Sequence, residues 1–219
     1  MCPSSPGTPL RLTAKTPVSP LEVQIGAVRK SIDAAVLPAD RSGDGLAVCA
    51  ELFGEISTPK EDLRDIALTN LNPQDHLAIA LCNLTRMETG ETWWQHSLTT
   101  EAVCRFMEAL DVERIAIAQA YGRTVLPGRE VLQQALDASG ASLAELHRML
   151  VGRGRDLLGP KNLSMPFGLV PLVLLAELAE VPVPLFRSGI AVISACYQRD
   201  FIRDNDLIPE LSKEIAAMR

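Results

Sequence analysis

The apolar positions of this chain change period along its length. In residues 21–40, LEVQIGAVRKSIDAAVLPAD, Leu21, Val23, Ile25 and Ala27 alternate with polar neighbours and so share one face of a β-strand. Pro38 and the DRSGDG cluster end that pattern, and a short helix, LAVCAELFG, follows and closes on Gly54. The first 20 residues read as a loosely ordered lead-in, with RLTA as its one strand candidate. From about residue 61 the spacing is helical. PQDHLAIALCNLTRMETG predicts a helix with Asn72 as N-cap, Pro73 at the first helical position, Asp75 in the first turn and Gly90 closing it. TTEAVCRFMEALDVERIAIAQAYG places Val103, Phe106, Met107, Leu110, Ile117 and Tyr121 on one helical face and stops at Gly122.

Two shorter helices are expected near 128–138 and 141–151. FGLVPLVLLAELAEV and LFRSGIAVISACYQRDFI make two more, parted by the PVP break at 182–184, and a last amphipathic piece runs over 207–217. The fold class is therefore mainly α. A helical domain of about six to seven helices over 61–219 follows a β segment within 1–60. Two or three strands cannot bury both faces of a sheet, so they need more sheet, a covering helix or a partner chain, and a homodimer is the expectation.

Composition narrows the class of function. Aromatic residues make up 4% of the 219 while 47% are hydrophobic, so the core is aliphatic. The net charge is −6 with no basic stripe, which argues against a nucleic-acid or anionic-membrane partner. Cys2, Cys49, Cys82, Cys104 and Cys196 are scattered, form no Cys-x-x-Cys and have no histidine at a zinc spacing. They point to free thiols in a reducing compartment and to no metal site. The N-terminus, MCPSSPGTPLRLTAKTPVSP, lacks the apolar core of a signal peptide. The longest apolar stretch, MPFGLVPLVLLAEL at 165–178, is too short to span a bilayer. A soluble, cytoplasmic protein that binds a small molecule is the expectation.

His76 leads the chemical candidates. Near the helix start the macrodipole disfavours imidazolium, while Asp75 pushes the other way, which would poise the ring near neutral pH for acid–base work. The same place also suits a histidine that merely ties down a loop. VGRGRDLLG at 151–159 mimics a phosphate-binding glycine loop but follows a helical segment, so Gly152 and Gly154 read as helix-end and turn residues. ETWWQHSLTT at 91–100 brings Trp94, a second indole and His96 into a loop, the indoles either lining a pocket or covering the edge of the core.

Taken in order, NLNPQDHLAIALCNLTRMETG, LTTEAVCRFMEALDVERIAIAQAYG and MPFGLVPLVLLAELAEVPVPLFRSGIAVISACYQRDF resemble the C-terminal helical domain of the octopine/nopaline (opine) dehydrogenase family. That family is similar in its Asn-Pro-x-x-His turn, its Glu-Ala-(Leu/Val)-Asp-x-Glu-Arg helix, its Pro-(Tyr/Phe)-Gly-Leu-Val-Pro stretch and its Val-Pro-x-Pro break. The segment at 21–39 is similar to the last strands of the family's Rossmann domain. The resemblance implies reductive condensation of an amino acid with a 2-oxo acid using NAD(P)H. It implies an acid–base role for His76 and a substrate-side place for Asn72.

The departures matter as much. The family's Gly-x-Gly-x-x-Gly is absent, so about a hundred residues of a nucleotide-binding domain are expected to be missing. No cofactor-binding residue is therefore assigned, and NAD(P)H is implied only if a Rossmann domain is supplied elsewhere. Ser164 stands where the resemblance would place the aspartate partner of the histidine, and Gly159 where it would place an arginine that grips a carboxylate. Ser164 and Trp94 join Asn72 as substrate-side candidates. The departures, with a start at MCPSSPGTPL that carries no strand-glycine signature, admit a second expectation. It is a stand-alone relative without redox function that uses His76 and its pocket for cyclisation, isomerisation or ligand binding. A purely structural or dimerising module is the third.

Overall fold

The computed structural model describes residues 12–19, 22–28, 32–36, 39–54, 57–151 and 165–206. They fall into two units, Met1–Asn70 and Leu71–Arg219, taken in turn.

In the first unit, β1 (Leu12–Ser19) pairs antiparallel with β2 (Glu22–Val28). The lead-in strand is thus longer than RLTA. Thr13, Thr16 and Val18 favour extended backbone, and Pro17, which has no N–H to give the ladder, falls where the register shifts. β3 (Ile32–Ala34) lies parallel to β4 (Ser57–Pro59), with α1 (Ser42–Phe53) between them in the chain, making a small βαβ unit. α1 ends on Gly54 at φ 78°, as the sequence indicates. A Cβ on Gly45 would come within 2.6 Å of the Val36 side chain, so the helix approaches the end of β3 at glycine distance. α2 (Leu63–Thr69) begins on a capping box in which Asp62 accepts the Arg64 N–H at 2.7 Å and Asp65 accepts the Asp62 N–H at 3.4 Å.

The described residues of the second unit are helical. α3 (Asn72–Cys82) starts one residue before the predicted position. Leu71 is the N-cap, its carbonyl accepting the Asp75 N–H at 3.1 Å, and Asn72 is already helical with Pro73 in the first turn. The helix also stops short of Gly90. The Asn83 side chain turns back to donate to the Ile79 carbonyl at 2.9 Å, an alternative partner that breaks the run, and α4 (Leu84–Glu88) resumes it.

α5 (Glu101–Ala120) is capped by Thr100 and ends in a Schellman turn. There the Arg123 N–H reaches Ala118 at 2.8 Å, the Gly122 N–H reaches Gln119 at 2.9 Å, and Gly122 sits at φ 67°. α6 (Gly128–Leu136) and α7 (Leu143–Met149) follow, α7 opened by a Ser142–Glu145 capping box. A π turn over Met165–Leu169 leads into α8 (Val170–Leu178), and α9 (Pro184–Tyr197) lies beyond the PVP break. The predicted helix at 207–217 falls outside the described residues.

Helix α5 is the centre of this unit and packs on α3, α7, α8 and α9. Leu77, Met107, Leu110, Ile117, Leu146 and Phe186 are fully buried. So are charges: Asp111, Glu113 and Arg114 of α5. Glu113 accepts the N–H groups of Leu185 at 2.7 Å and Phe186 at 3.0 Å, supplying α9 with the N-terminal cap that Val183 does not. Asp111 accepts from Gly128 N–H at 2.7 Å at the start of α6, from Gln74 of α3 at 2.9 Å and from Arg114 at 2.8 Å. Arg114 then donates to the Leu126 carbonyl at 2.7 Å.

α3 and α9 cross at Gly189, where a Cβ would lie 2.6 Å from Leu77 Cδ2. Gly189→Val should cost about 1–3 kcal/mol in urea unfolding. Leu77→Ala in the same chain should recover part of that, so the double variant loses less than the sum of the two. Glu113→Ala, which strands two buried N–H groups, should cost about 1–3 kcal/mol, and an unchanged urea midpoint would show that α9 does not need this cap.

Candidate functional site

The chain has three histidines; the fold brings His96 and His147 into contact and His76 near enough to His96 to feel its charge. His76 comes from the second turn of α3, His96 from a 3-10 turn over Gln95–Leu98, and His147 from α7. His96 Nδ1 lies 3.0 Å from His147 Nδ1, the ring centroids being 5.2 Å apart and tilted by 40°. His96 Nε2 lies 3.3 Å from the Gln95 side-chain amide nitrogen. His147 is buried, and its Nε2 has no hydrogen-bond partner; the same holds for His76 Nδ1.

Burial, and then the charge of His96, push the pKa of His76 from an ordinary 6.5 down to about 4. The same two causes in the same order bring His147 to about 4, and burial lowers His96. The reading of His76 as poised near neutrality is therefore corrected: its surroundings hold it neutral well below that. Asp75 does not offset this, because its own interactions are with Asp111 and Arg114. Burial and the nearby Asp111 carboxylate raise Asp75 from 3.8 to about 7, against a smaller opposing effect of Arg114. Asp75 lines a narrow cleft with Gln74, Glu108, Asp111 and Arg129 that has about 10 Å³ of space, close to the least that holds a water. Gln74 Oε1 is buried there without a partner.

The other predicted residues are spread out. Asn72 is half-buried at the first position of α3. The tryptophan pair divides: Trp93 is buried, while Trp94 is 42% exposed at the start of the 3-10 turn. Ser164 and residues 152–159 of the glycine-rich stretch lie outside the described residues. Among the described residues no group of three His, Cys, Asp or Glu side chains has the geometry to hold a metal ion, and no helix is long and apolar enough to cross a membrane.

A larger cavity of about 440 Å³ lies between α8, α9 and the turn after them, floored by Val173, Ile190 and Ile202. It is remote from the histidines in the chain, and its arginines are engaged: Arg187 with Glu177 and Arg199 with Asp204, each at 2.7 Å. It offers no comparable set of polar atoms left without partners.

His147 was not identified from sequence, and His96 only as the histidine of the ETWWQHSLTT loop, although one further signal was present. In LAELHRML, His147 follows Leu143 and Leu146 at helical spacing, so it belongs to the apolar stripe. Asp111 and Arg114 give a like signal, because they flank the stripe of Met107, Leu110 and Ile117.

The βαβ unit of the first domain tests a dinucleotide site. At the N-terminus of α1, where a pyrophosphate would sit, Asp44 occupies the first turn and pairs with Arg41 at 2.9 Å. A Cβ on Gly45 would meet the Val36 side chain, so this glycine serves close helix–strand packing. With Asp44 in its first turn, the start of α1 does not favour a pyrophosphate.

Residues 59–197 match a family model described as NAD/NADP octopine/nopaline dehydrogenase, alpha-helical domain. The chain is 30% identical over 203 residues to an opine dehydrogenase of Arthrobacter sp. (strain 1C), covering 88% of this chain and 55% of that protein. It thus spans about half the length of the curated relative it matches.

The shifts make a signed prediction. Unfolded, His76 and His147 take a proton near 6.5; folded, only near 4, so their contribution is present above about 6.5 and lost as pH falls toward 4. Asp75 has the opposite sign: its contribution is present below its ordinary 3.8 and lost as pH rises through about 7. Asp75→Asn should therefore be more stable than the parent chain at pH 8, with the gain vanishing near pH 4. Urea unfolding across that range checks it, and no gain at pH 8 would refute the buried carboxylate.

Proposed function

We propose, from the premise that this chain belongs to the octopine/nopaline dehydrogenase family through its alpha-helical domain, that it forms the substrate side of an opine-type dehydrogenase. The overall reaction joins the amine of an amino acid to the carbonyl of a 2-oxo acid and reduces the imine with hydride from NAD(P)H. The dinucleotide is held by residues outside those described.

The observation that carries this reading is the state of His76. Its ring is neutral, its Nδ1 is buried without a partner, and it stands at the head of α3 within the matched domain. As the amine attacks the carbonyl carbon, an N–C bond forms and the nitrogen must shed a proton; a neutral imidazole accepts it. The imidazolium returns that proton to the alkoxide, giving the carbinolamine; as the C–O bond then breaks, the proton remaining on the nitrogen passes through the imidazole to the leaving hydroxide, so that imine and water are formed. Both substrates carry carboxylates, and their negative charge would favour imidazolium, bringing His76 from its low resting value toward the range where acid–base exchange is efficient. Asn72, one turn before His76, and Trp94 are the substrate-side contacts of this reading.

The test uses the chain as it is. An N-(1-carboxyethyl) amino acid, the secondary-amine dicarboxylate product of such a condensation, should bind in calorimetry without dinucleotide. His76→Ala should weaken binding about tenfold, in line with the loss of one hydrogen bond to a charged group. Absence of binding to a panel of such dicarboxylates would overturn the proposal.

A further inference from the structure

Ser164, where the resemblance would place a carboxylate, lies outside the described residues; the pair of His96 and His147 is described, and its hydrogen bonding is constrained. A contact of 3.0 Å between His96 Nδ1 and His147 Nδ1 needs a proton on one nitrogen and a lone pair on the other. With both rings neutral, their tautomers are therefore opposite. If His96 donates, its Nε2 accepts from the Gln95 amide and the proton of His147 sits on Nε2. If His147 donates, His96 Nε2–H faces Gln95, and a turn of the amide presents Oε1, which is otherwise buried without a partner. Either way there is one proton in the contact, and two imidazolium rings cannot share it.

We propose that His96 is the positioning residue of this site: both of its ring nitrogens have polar neighbours, His147 and Gln95, whereas His147 Nε2 and His76 Nδ1 are buried without partners, so an added proton goes to His96 first and is kept off His76 and His147. The inference rests on the reading of His76 as the acid–base group and gives it a governor that the sequence does not show.

Charged groups stand on every neighbouring element: Asp75 on α3, Glu101 and Glu108 on α5, Glu145 and Arg148 on α7. Their effects fall elsewhere. Asp75, Glu101, Glu108 and Arg148 bear on Cys104, and Glu145 is bound to Ser142. The charge that bears on both His76 and His147 is that of His96. A carboxylate in this place would favour imidazolium; a second imidazole acts in the reverse sense. The consequence is a site that stays a base in the resting protein and becomes an acid only when an anionic ligand arrives.

Nitrogen-15 NMR of the ligand-free chain tests this in two ways. At neutral pH one of His96 and His147 should carry its proton on Nδ1 and the other on Nε2; both rings protonated on Nε2 would overturn the shared contact. In His96→Asn the titration midpoint of His76 should rise by roughly half a unit or more, since a like charge has gone. An unmoved His76 midpoint in a folded His96→Asn chain would overturn the proposal. Should that variant fail to fold, the tautomers of the parent chain still decide the matter. Neither readout needs turnover or product binding, so failure here is distinct from failure of the reductive-condensation reading.

Discussion

Buried charge on α5 must be neutralised, and the arrangement of the helical unit follows from how that is done. Asp111, Glu113 and Arg114 are all buried on one turn, and an uncompensated buried ion is strongly destabilising. Their lone pairs and protons are used on backbone and side-chain groups of other elements: the first N–H groups of α9, the start of α6, the Leu126 carbonyl and the amide of Gln74 on α3. Each such bond also fixes a helix end or a helix face in position. The Glu-Ala-Leu-Asp-x-Glu-Arg segment is thus an anchor for three other helices.

That anchor reaches the candidate site through α3. Gln74, bound to Asp111, and His76 are two residues apart on the same helix, so the bond that fixes the rotation of α3 also fixes where the imidazole lies. The crossing of α3 with α9 at Gly189 acts on the same helix from another side. Asp75 lies between the two, interacting with Asp111 and raised to about 7, while His76 is held neutral by burial and His96. Adjacent residues therefore sit in opposite electrostatic settings because successive helical positions turn by about 100°.

The comparison with the family adds a boundary. The matched domain accounts for residues 59–197, and the chain covers 55% of the opine dehydrogenase it resembles. The βαβ unit has the connectivity of a nucleotide-binding fold, yet it places an aspartate in the first turn of its helix.

The sequence by itself determined the helical class, the breaks at Gly54, Gly122 and 182–184, and the place of His76 at the head of its helix. These depend on local backbone rules: glycine at positive φ, proline without an N–H, and apolar residues at helical spacing. It missed the break at Asn83, where a side chain competes with the helix for a carbonyl and periodicity is blind to the contest. It could not bring together His76, His96 and His147, which are far apart in the chain. Nor could it give Asp111, Glu113 and Arg114 their partners on α3, α6 and α9. Charge state follows from burial and from which charges become neighbours, and both are decided only when the helices pack. The chain alone names the histidine; the tertiary structure decides that its Nδ1 is enclosed without a partner and that the ring is held neutral by burial and by His96.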